Sequence, residues 1–439
     1  MAGKKTQAQL TPEEKLQQAL VPEAEQPYKV PANWCWTRQN IACYLSDIEK
    51  IVNGEHPYLE AKFLRGLKKP KIVSAGKFIN KSSKVILVDG ENSGEVFDIF
   101  VDGYMGSTFR LLCFSEIVYE QYCRYFIIIN KEIYSKSKKG SAIPHLNKEL
   151  FFNMPFPLPP LTEQQRIVER IESLFAKLDE AKENLQNVLE GFETRKAAIL
   201  HKAFTGELTA NWRKQHGISM DSWEETFIKN VCLDIKVGIV IKPSQYYVDK
   251  ENGIAAFRSA NVREFRIDNI DWVYLSPKGY NENKRSIVHT GDVLIVRSGN
   301  PGTACVVTEE FDGYNAIDIL IAVPNKDKLN SYFLCAYTNS PVVKQMVENN
   351  KRGMALSHFN VSGYSKLPIF VPTLSEQTEI VRIIDDLLAK EQQAKELAEN
   401  ALAKIELIKK AILARAFRGE LGTNNPADET AVELLKRVL

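Results

Sequence analysis

The sequence predicts an α+β protein built twice over: two domains of mixed α/β structure joined by a long antiparallel two-helix coiled coil, with pseudo-twofold internal symmetry. Three observations predict it. First, the segment from Lys138 to Leu208 is repeated without a gap from Lys351 to Leu421 at a constant offset of 213, with 31 identities in 71 positions, and a period that long implies duplication of a whole unit and not a solenoid. Second, both copies contain a helix-length stretch with a sustained heptad seam. Third, the sequence between the copies consists of short β-branched runs separated by Gly, Asn and Pro turns, which read as irregular sheets.

The elements follow in order. Residues 1–30 form an N-terminal segment in which Thr11-Pro-Glu-Glu opens a short capped helix through Leu20. Residues 31–157 form the first domain, led by Trp34 after Pro31-Ala-Asn, with a strand and Gly-rich turn at Val85-Ile-Leu-Val-Asp-Gly-Glu-Asn-Ser-Gly. Residues 158–213 carry the first spacer helix. Residues 214–370 form the second domain, led by Trp223, with the parallel run Val293-Leu-Ile-Val-Arg-Ser-Gly-Asn-Pro-Gly and a helical stretch from Ser331 to Asn349. Residues 371–421 carry the second spacer helix, and 422–439 a tail helix. If the second long helix returns to the first domain, the two chain termini lie near each other.

The first seam runs through Ile167, Ile171, Leu174, Leu178, Ala181, Leu185, Val188, Phe192, Arg195 and Ile199. The second runs through Ile380, Ile384, Leu387, Glu391, Ala394, Ala398, Ala401, Ile405, Ile408 and Ile412. Each has one polar exception, Arg195 and Glu391, and an apolar spacing of this length argues a supercoiled pair. Thr162 with Gln165 reads as a capping box, Ser375 as a cap, and Gly206 and Gly419 as helix stops. At 1.5 Å per residue, about forty residues span roughly 60 Å, longer than a small domain is wide. Because one helix leaves the first domain and the other leaves the second, side-by-side pairing requires them to run antiparallel.

Of the 439 residues, 44% are hydrophobic and 26% charged, an ordinary balance for a globular chain of two to three domains. No apolar stretch approaches membrane-span length and the first thirty residues lack a signal core, so a cytoplasmic location is expected. The seven cysteines contain no Cys-x-x-Cys and read as reduced core thiols.

Net charge is only +2, but its distribution is uneven. From Ala61 to Val88 there is no acid, while Lys62, Arg65, Lys68, Lys69, Lys71, Lys77, Lys81 and Lys84 all fall there. Such a stripe suits phosphate neutralisation, although many basic faces are merely solvated. The repeated Lys-[Lys/Arg]-Gly-x-Ala loop adds Lys138, Lys139 and Gly140 with Lys351, Arg352 and Gly353, where glycine lets backbone amides approach a phosphate. His145 and His358 either join them or tie the loop to the helix root. Arg297, beside Ser298, is a candidate for bidentate reading of guanine, with a surface salt bridge as the plain alternative; Arg258 and Asn261 are counted with it.

Catalytic signatures are missing. There is no phosphate-binding Gly-x4-Gly-Lys-[Ser/Thr] loop, no [Asp/Asn]-Pro-Pro-[Tyr/Phe] methyltransferase pocket and no Gly-x-Gly cofactor turn. The six histidines are scattered, so no metal site is expected. Asp89, Asp102, Glu91 and Glu95 read as turn acids and not as a nuclease cluster.

The paired entries Pro-x-Leu-Thr-Glu-Gln and Pro-x-Leu-Ser-Glu-Gln, the exits Ala-Phe-x-Gly-Glu-Leu, and the two Trp-led variable domains resemble the specificity (S) subunit of type I restriction-modification systems. The resemblance covers nearly the whole chain. It implies that each domain is a target recognition domain reading one half of an asymmetric bipartite target in double-stranded DNA, and that the helices fix the spacing. It further implies docking of two modification (M) subunits, which use S-adenosylmethionine, and two restriction (R) subunits, which use ATP and magnesium, with no cofactor on this non-catalytic chain. Two alternatives stay open: a coiled-coil adaptor joining two protein-binding domains, and a specificity chain for a fused restriction-methylation enzyme.

Overall fold

A computed structural model describes residues 11–137, 144–353 and 359–439. It comprises two compact units: residues up to Leu185 together with Asn400–Leu439, and Gln186–Glu399. The division runs through both long helices and not at the ends of the expected domains, because the root of one helix and the far end of the other pack into each core.

The first unit opens with α1 (Pro12–Ala19), capped by Thr11 in a full capping box with Glu14. Its strands are β1 (Cys35–Arg38), β2 (Cys43–Ser46), β3 (Lys50–Leu59), β4 (Ile72–Ile79), β5 (Lys84–Leu87), β6 (Val96–Asp98), β7 (Gly103–Met105), β8 (Phe109–Phe114) and β9 (Pro155–Leu158). An antiparallel sheet runs β2-β8-β5-β6, and β3, β4 and β7 close on one another. The chain then enters α2 (Leu161–Glu190) and α3 (Phe192–Phe204). Gly191 between them keeps helical angles, and the helical hydrogen bonds continue on both sides of it.

The second unit contains β10 (Glu224–Phe227), β11 (Cys232–Val237), β12 (Val293–Val296), β13 (Ala304–Val306), β14 (Ile319–Pro324) and β15 (Pro368–Val371). Its main sheet runs β11-β14-β12-β13, the same plan as in the first unit. The two strands paired in the sequence, Val85-Ile-Leu and Val293-Leu-Ile-Val, hold the same third place. A smaller sheet is inserted here, made of residues 247–248, 254–257, 273–275 and 315–316. The stretch from Ser331 is two helices, Ser331–Thr338 and Pro341–Gly353, not one. The break falls at Asn339, whose amide exchanges hydrogen bonds with the backbone of Ala304. Last come α4 (Leu374–Phe417), 44 residues long, and α5 (Ala431–Lys436).

The repeated Glu-Gln pair anchors both helices. Glu163 and Glu376 are fully buried. In the first unit Glu163 accepts from the Trp34 indole at 2.9 Å and from Asn424 at 2.8 Å. In the second Glu376 accepts from the Trp223 indole at 3.1 Å, Thr209 at 2.7 Å and Arg213 at 2.6 Å. The neighbouring glutamines do parallel work: Gln164 bonds the carbonyls of Ile117 and Pro159 and the amide of Tyr119, and Gln377 those of Lys328 and Pro372 and the amide of Asn330. Buried polar groups must be satisfied, and these four are. The expected capping box at Thr162 and Gln165 does not form. The first helix begins at Leu161, too early for Thr162 to cap it, and in the second copy Thr373, not Ser375, accepts from the Glu376 amide. Gly206 and Gly419 end the helices with positive φ, as expected.

Around these anchors each core repeats. Ile167, Ile171, Leu413, Ala416 and Phe417 pack together in the first unit, and Ile380, Ile384, Leu200 and Ala203 in the second. The antiparallel pairing is explicit inside each. Asp179 meets Lys409 at 2.6 Å and Lys182 meets Glu406 at 3.5 Å in the first unit. Arg195 meets Glu391 at 2.8 Å, and Lys395 covers the Phe192 ring at 4.8 Å, in the second. The two exceptions to the heptad pattern therefore neutralise each other. Leu174, Leu178, Leu185, Leu387 and Ile412 are half-buried and Ile405 buried. Val188 and Ile408, expected in the seam, are 40% and 44% exposed. An unstrained 3.6-residue helix drifts by about 20° per heptad against a strict heptad pattern, which carries these positions off the contact line while Leu189 and Lys409 turn toward it.

Near the start of the described residues the Lys15 ammonium donates to the Leu439 oxygen at 2.8 Å, while residues 1–10 lie outside the description. All seven cysteines are free, five of them buried, and burial pushes the thiols of Cys35, Cys232 and Cys305 up to about 12.

Candidate nucleic-acid interface

In the first unit the acid-free stretch becomes the connection from β3 to β4, β4 itself and the start of β5. Lys62, Lys68, Lys69, Lys71 and Lys81 are exposed. Lys68 makes a 3.0 Å surface pair with Glu60, which is held below the usual carboxylate range by that hydrogen bond. A pair of this kind contributes about 0–1 kcal/mol and leaves the ammonium free to exchange partners. Three members of the stripe are held more firmly. Arg65 pairs with Glu95 and lies over the Phe97 ring, Lys77 pairs with Asp47, and Lys84 sits between Asp98 at 3.1 Å and Glu120 at 2.8 Å. The stripe thus divides into an outer set aimed at solvent and an inner set that ties strands together. Phe63, Leu64, Leu67, Pro70 and Phe100 line a shallow groove beneath the outer lysines.

The β3-β4 ribbon is braced from below by one side chain. Its ladder is interrupted between Val52 and His56. There the buried Tyr104 hydroxyl accepts from the Asn53 amide at 2.8 Å and lies 2.9 and 2.8 Å from the carbonyls of Gly54 and Ser74. A Cβ at Gly76 would stand 3.0 Å from the Tyr104 ring, so glycine is what lets the ribbon lie so close to it. At the end of β5, Leu146 bonds the Val88 carbonyl and His145 meets Asp89 at 2.7 Å. His145, 55% exposed at its side chain, ties the loop to the turn and remains open to solvent.

The second unit has the corresponding junction. The Phe359 amide donates to the Arg297 carbonyl at 3.1 Å, and the Arg297 guanidinium reaches Asp318 at 2.6 Å and the Phe359 carbonyl at 3.2 Å. Arg258 donates to the Asp271 carbonyl. Asn261 is fully buried, its amide bracing the carbonyls of Asp268 and Ile270, and so offers no surface to a ligand. Asp89 and Asp102 serve as turn acids, Asp102 accepting from the Lys81 amide at 2.5 Å. Among the described residues no group of three or more His, Cys, Asp or Glu could hold a metal ion, and no helix is long and apolar enough to cross a membrane.

Lys138, Lys139, Gly140 and His358 lie outside the described residues. Lys351, Arg352 and Gly353 close the helix from Pro341, and their side chains are outside the description too.

A family model described as the type I restriction modification DNA specificity domain matches the chain twice, over residues 39–191 and 220–401. The chain belongs to this family. Each match takes in most of one domain and part of the helical segment that follows it. Among curated relatives, the EcoBI specificity subunit of Escherichia coli is 26% identical over 318 residues, covering 68% of this chain and 66% of that protein. The MjaVIII specificity subunit of Methanocaldococcus jannaschii is 25% identical over 381 residues, covering 82% and 86%. The chain therefore spans about two thirds of the first relative and most of the second. The crystal structure of the HsdS subunit from Thermoanaerobacter tengcongensis shares the fold with a TM-score of 0.62 at 20% identity, over 90% of this chain and all of that one. A chain from a structure describing complex assembly and conformational transition of the type I R-M system gives 0.65, also at 20% identity and over the same shares.

What sequence reading passed over is apolar. Tyr104 is visible in the sequence as the end of Asp102-Gly-Tyr, which Asp312-Gly-Tyr repeats, but nothing there marks its hydroxyl as a brace; the pairing of Trp34 with Trp223 likewise extends, unread, to Thr37 with Thr226 and Cys43 with Cys232 at a constant offset of 189.

Proposed function

We propose that this type I specificity-family chain is the sequence-specific DNA-recognition subunit of a restriction-modification complex, each unit reading one half of an asymmetric bipartite target while the paired helices set the gap. The observation that carries this reading is the doubled family match on two units of one plan whose candidate surfaces differ. The first presents a lysine-rich turn beside a ribbon; the second presents arginines held at strand ends. Equal frames with unlike surfaces suit two different half-sites, since phosphate contacts position a protein and side chains at base edges specify.

The chain is non-catalytic in this reading. Two M subunits supply adenine methylation with S-adenosylmethionine, and two R subunits supply ATP-driven translocation and magnesium-dependent cleavage. Leu397 and Leu407, 63% and 65% exposed on α4, are suited to M docking, because large apolar side chains on a helix favour a covering partner.

Co-expression with candidate methyltransferase chains, followed by sequencing of adenine methylation in host DNA, tests the proposal. A gapped, asymmetric methylated motif that depends on this chain is expected. Its absence with every cognate partner would sink the reading.

A further inference from the structure

The 189-residue offset that aligns Trp34 with Trp223 runs on without a gap to align Ile51-Val52 with Val240-Ile241. In each unit this is an adjacent pair of β-branched apolar residues, and each pair is bare: Ile51 47% and Val52 81% exposed, Val240 50% and Ile241 76%. Val52 and Ile241 are the two most exposed large apolar side chains among the described residues. Single exposed hydrophobics need no explanation, but two pairs at one aligned position do, because the backbones that carry them differ. Ile51 and Val52 belong to the β3-β4 ladder, opposite Gly76 and Ala75. Val240 and Ile241 come after β11 and the Ile239–Ile317 bridge, outside any strand, with Gly238 close before them, where a Cβ would stand 2.2 Å from the Ala316 carbonyl. What is common to both is the apolar pair itself.

Both pairs are held in place from behind. The Tyr104 hydroxyl fixes Asn53 and Gly54 directly after Val52. In the second unit the Asp318 amide donates to the Ile239 carbonyl at 3.1 Å, while its carboxylate takes Arg297. A lysine adjoins each pair, Lys50 before Ile51 and Lys242 after Ile241, and in the first unit four of the outer lysines lie on the connection that joins the two strands of the ribbon. Positive charge beside a bare, braced β-branched pair fits a DNA groove better than a protein surface. A two-stranded ribbon fits the major groove, where the thymine 5-methyl is the apolar feature of the base edges.

Resting on the DNA-reading role proposed above, we infer that Ile51-Val52 and Val240-Ile241 are specificity-determining residues that pack against thymine 5-methyl groups, one pair in each half-site.

The test uses the full chain with the methyltransferase chains that support methylation, and duplexes of the mapped target with deoxyuridine replacing thymine in one half at a time. Each methyl removed should weaken wild-type binding about fourfold, the worth of one buried methylene-sized group. Val52→Ala should shrink that penalty in the first half alone, and Ile241→Ala in the second alone. Both positions are too exposed for alanine to threaten folding. A wild-type uracil penalty in either variant's own half, or a half-site with no A·T pair, overturns the inference. So does weaker binding by Val52→Ala with the penalty unchanged, which would assign the side chain to a minor-groove or protein contact. Failure of the chain to direct any gapped methylation is a separate result and removes the DNA-reading role itself.

Discussion

Glu163 and Glu376 occupy one position of the repeat in different electrostatic company. Glu376 faces Arg213, whose side chain is 10% exposed, whereas Glu163 takes its hydrogen bonds from neutral Trp34 and Asn424. Glu376→Gln leaves a buried guanidinium without its counter-charge and should cost about 3 kcal/mol in chemical unfolding. Glu163→Gln keeps an acceptor for both donors and should cost about 1 kcal/mol or less. Glu163 also carries a pH response of its own. Burial raises the Glu163 carboxyl above its ordinary value, outweighing the pull of its hydrogen bonds, so the folded state binds this proton more tightly than the unfolded chain does. The resulting stabilisation is full below the unfolded pKa and is lost as pH rises through the folded one. Wild type should therefore lose ground to Glu163→Gln as pH rises from the ordinary carboxylate range through the raised folded-state pKa, and a constant gap between their unfolding curves would refute the sign. At the DNA surface, replacing Lys68, Lys69 and Lys71 with Gln should reduce the salt slope of binding by up to about three units, roughly 0.9 per phosphate contact. An unchanged slope removes that turn from the interface. The sequence displayed the charges but not their partners: nothing in the spacing of Arg65, Lys77 or Lys84 announces Glu95, Asp47 or Asp98, which arrive from other parts of the chain.

The helices were the most legible elements, because heptad spacing and the glycine stops are local signals that survive folding. Their starts were less so. Glu163 and Gln164 look like first-turn residues in any helix, and only the folded chain shows them bonded to Trp34 and to the loop at Ile117. The polar seam positions were visible as exceptions, while their pairing needed the antiparallel register. Arg195→Leu alone should lower stability by about 1 kcal/mol at most, given a 40% exposed side chain. The double variant with Glu391→Leu should recover that loss, and purely additive single effects would show the pair to be inert. The β3-β4 ribbon was hidden for a different reason: its brace, Tyr104, is distant in sequence and lies on β7. Tyr104→Phe strips a hydroxyl from three backbone groups and should speed amide exchange at Asn53 before any loss of global stability, at a cost of about 1–3 kcal/mol.

At the scale of the whole chain, the duplication was legible because identity at a fixed offset needs no physics to detect. The unlike domains were not, since short strands in Gly- and Asn-rich sequence pair over long separations. One functional consequence belongs here. Adding two helical turns after Gln186 and Glu399 should lengthen the gap of the methylated motif by whole base pairs and leave the letters of both halves intact. Altered letters would mean that the helices do more than measure. The free thiols offer a different handle. Cys35, Cys43, Cys113 and Cys123 lie in one unit and Cys232, Cys305 and Cys335 in the other. Because only the thiolate reacts, burial that pushes a thiol toward 12 silences it until its surroundings open. Cys35 and Cys123 in the first unit, and Cys232, Cys305 and Cys335 in the second, are thus built-in clocks for the opening of their own units, and alkylation timed by mass spectrometry would reveal whether the two copies of one plan breathe at the same rate.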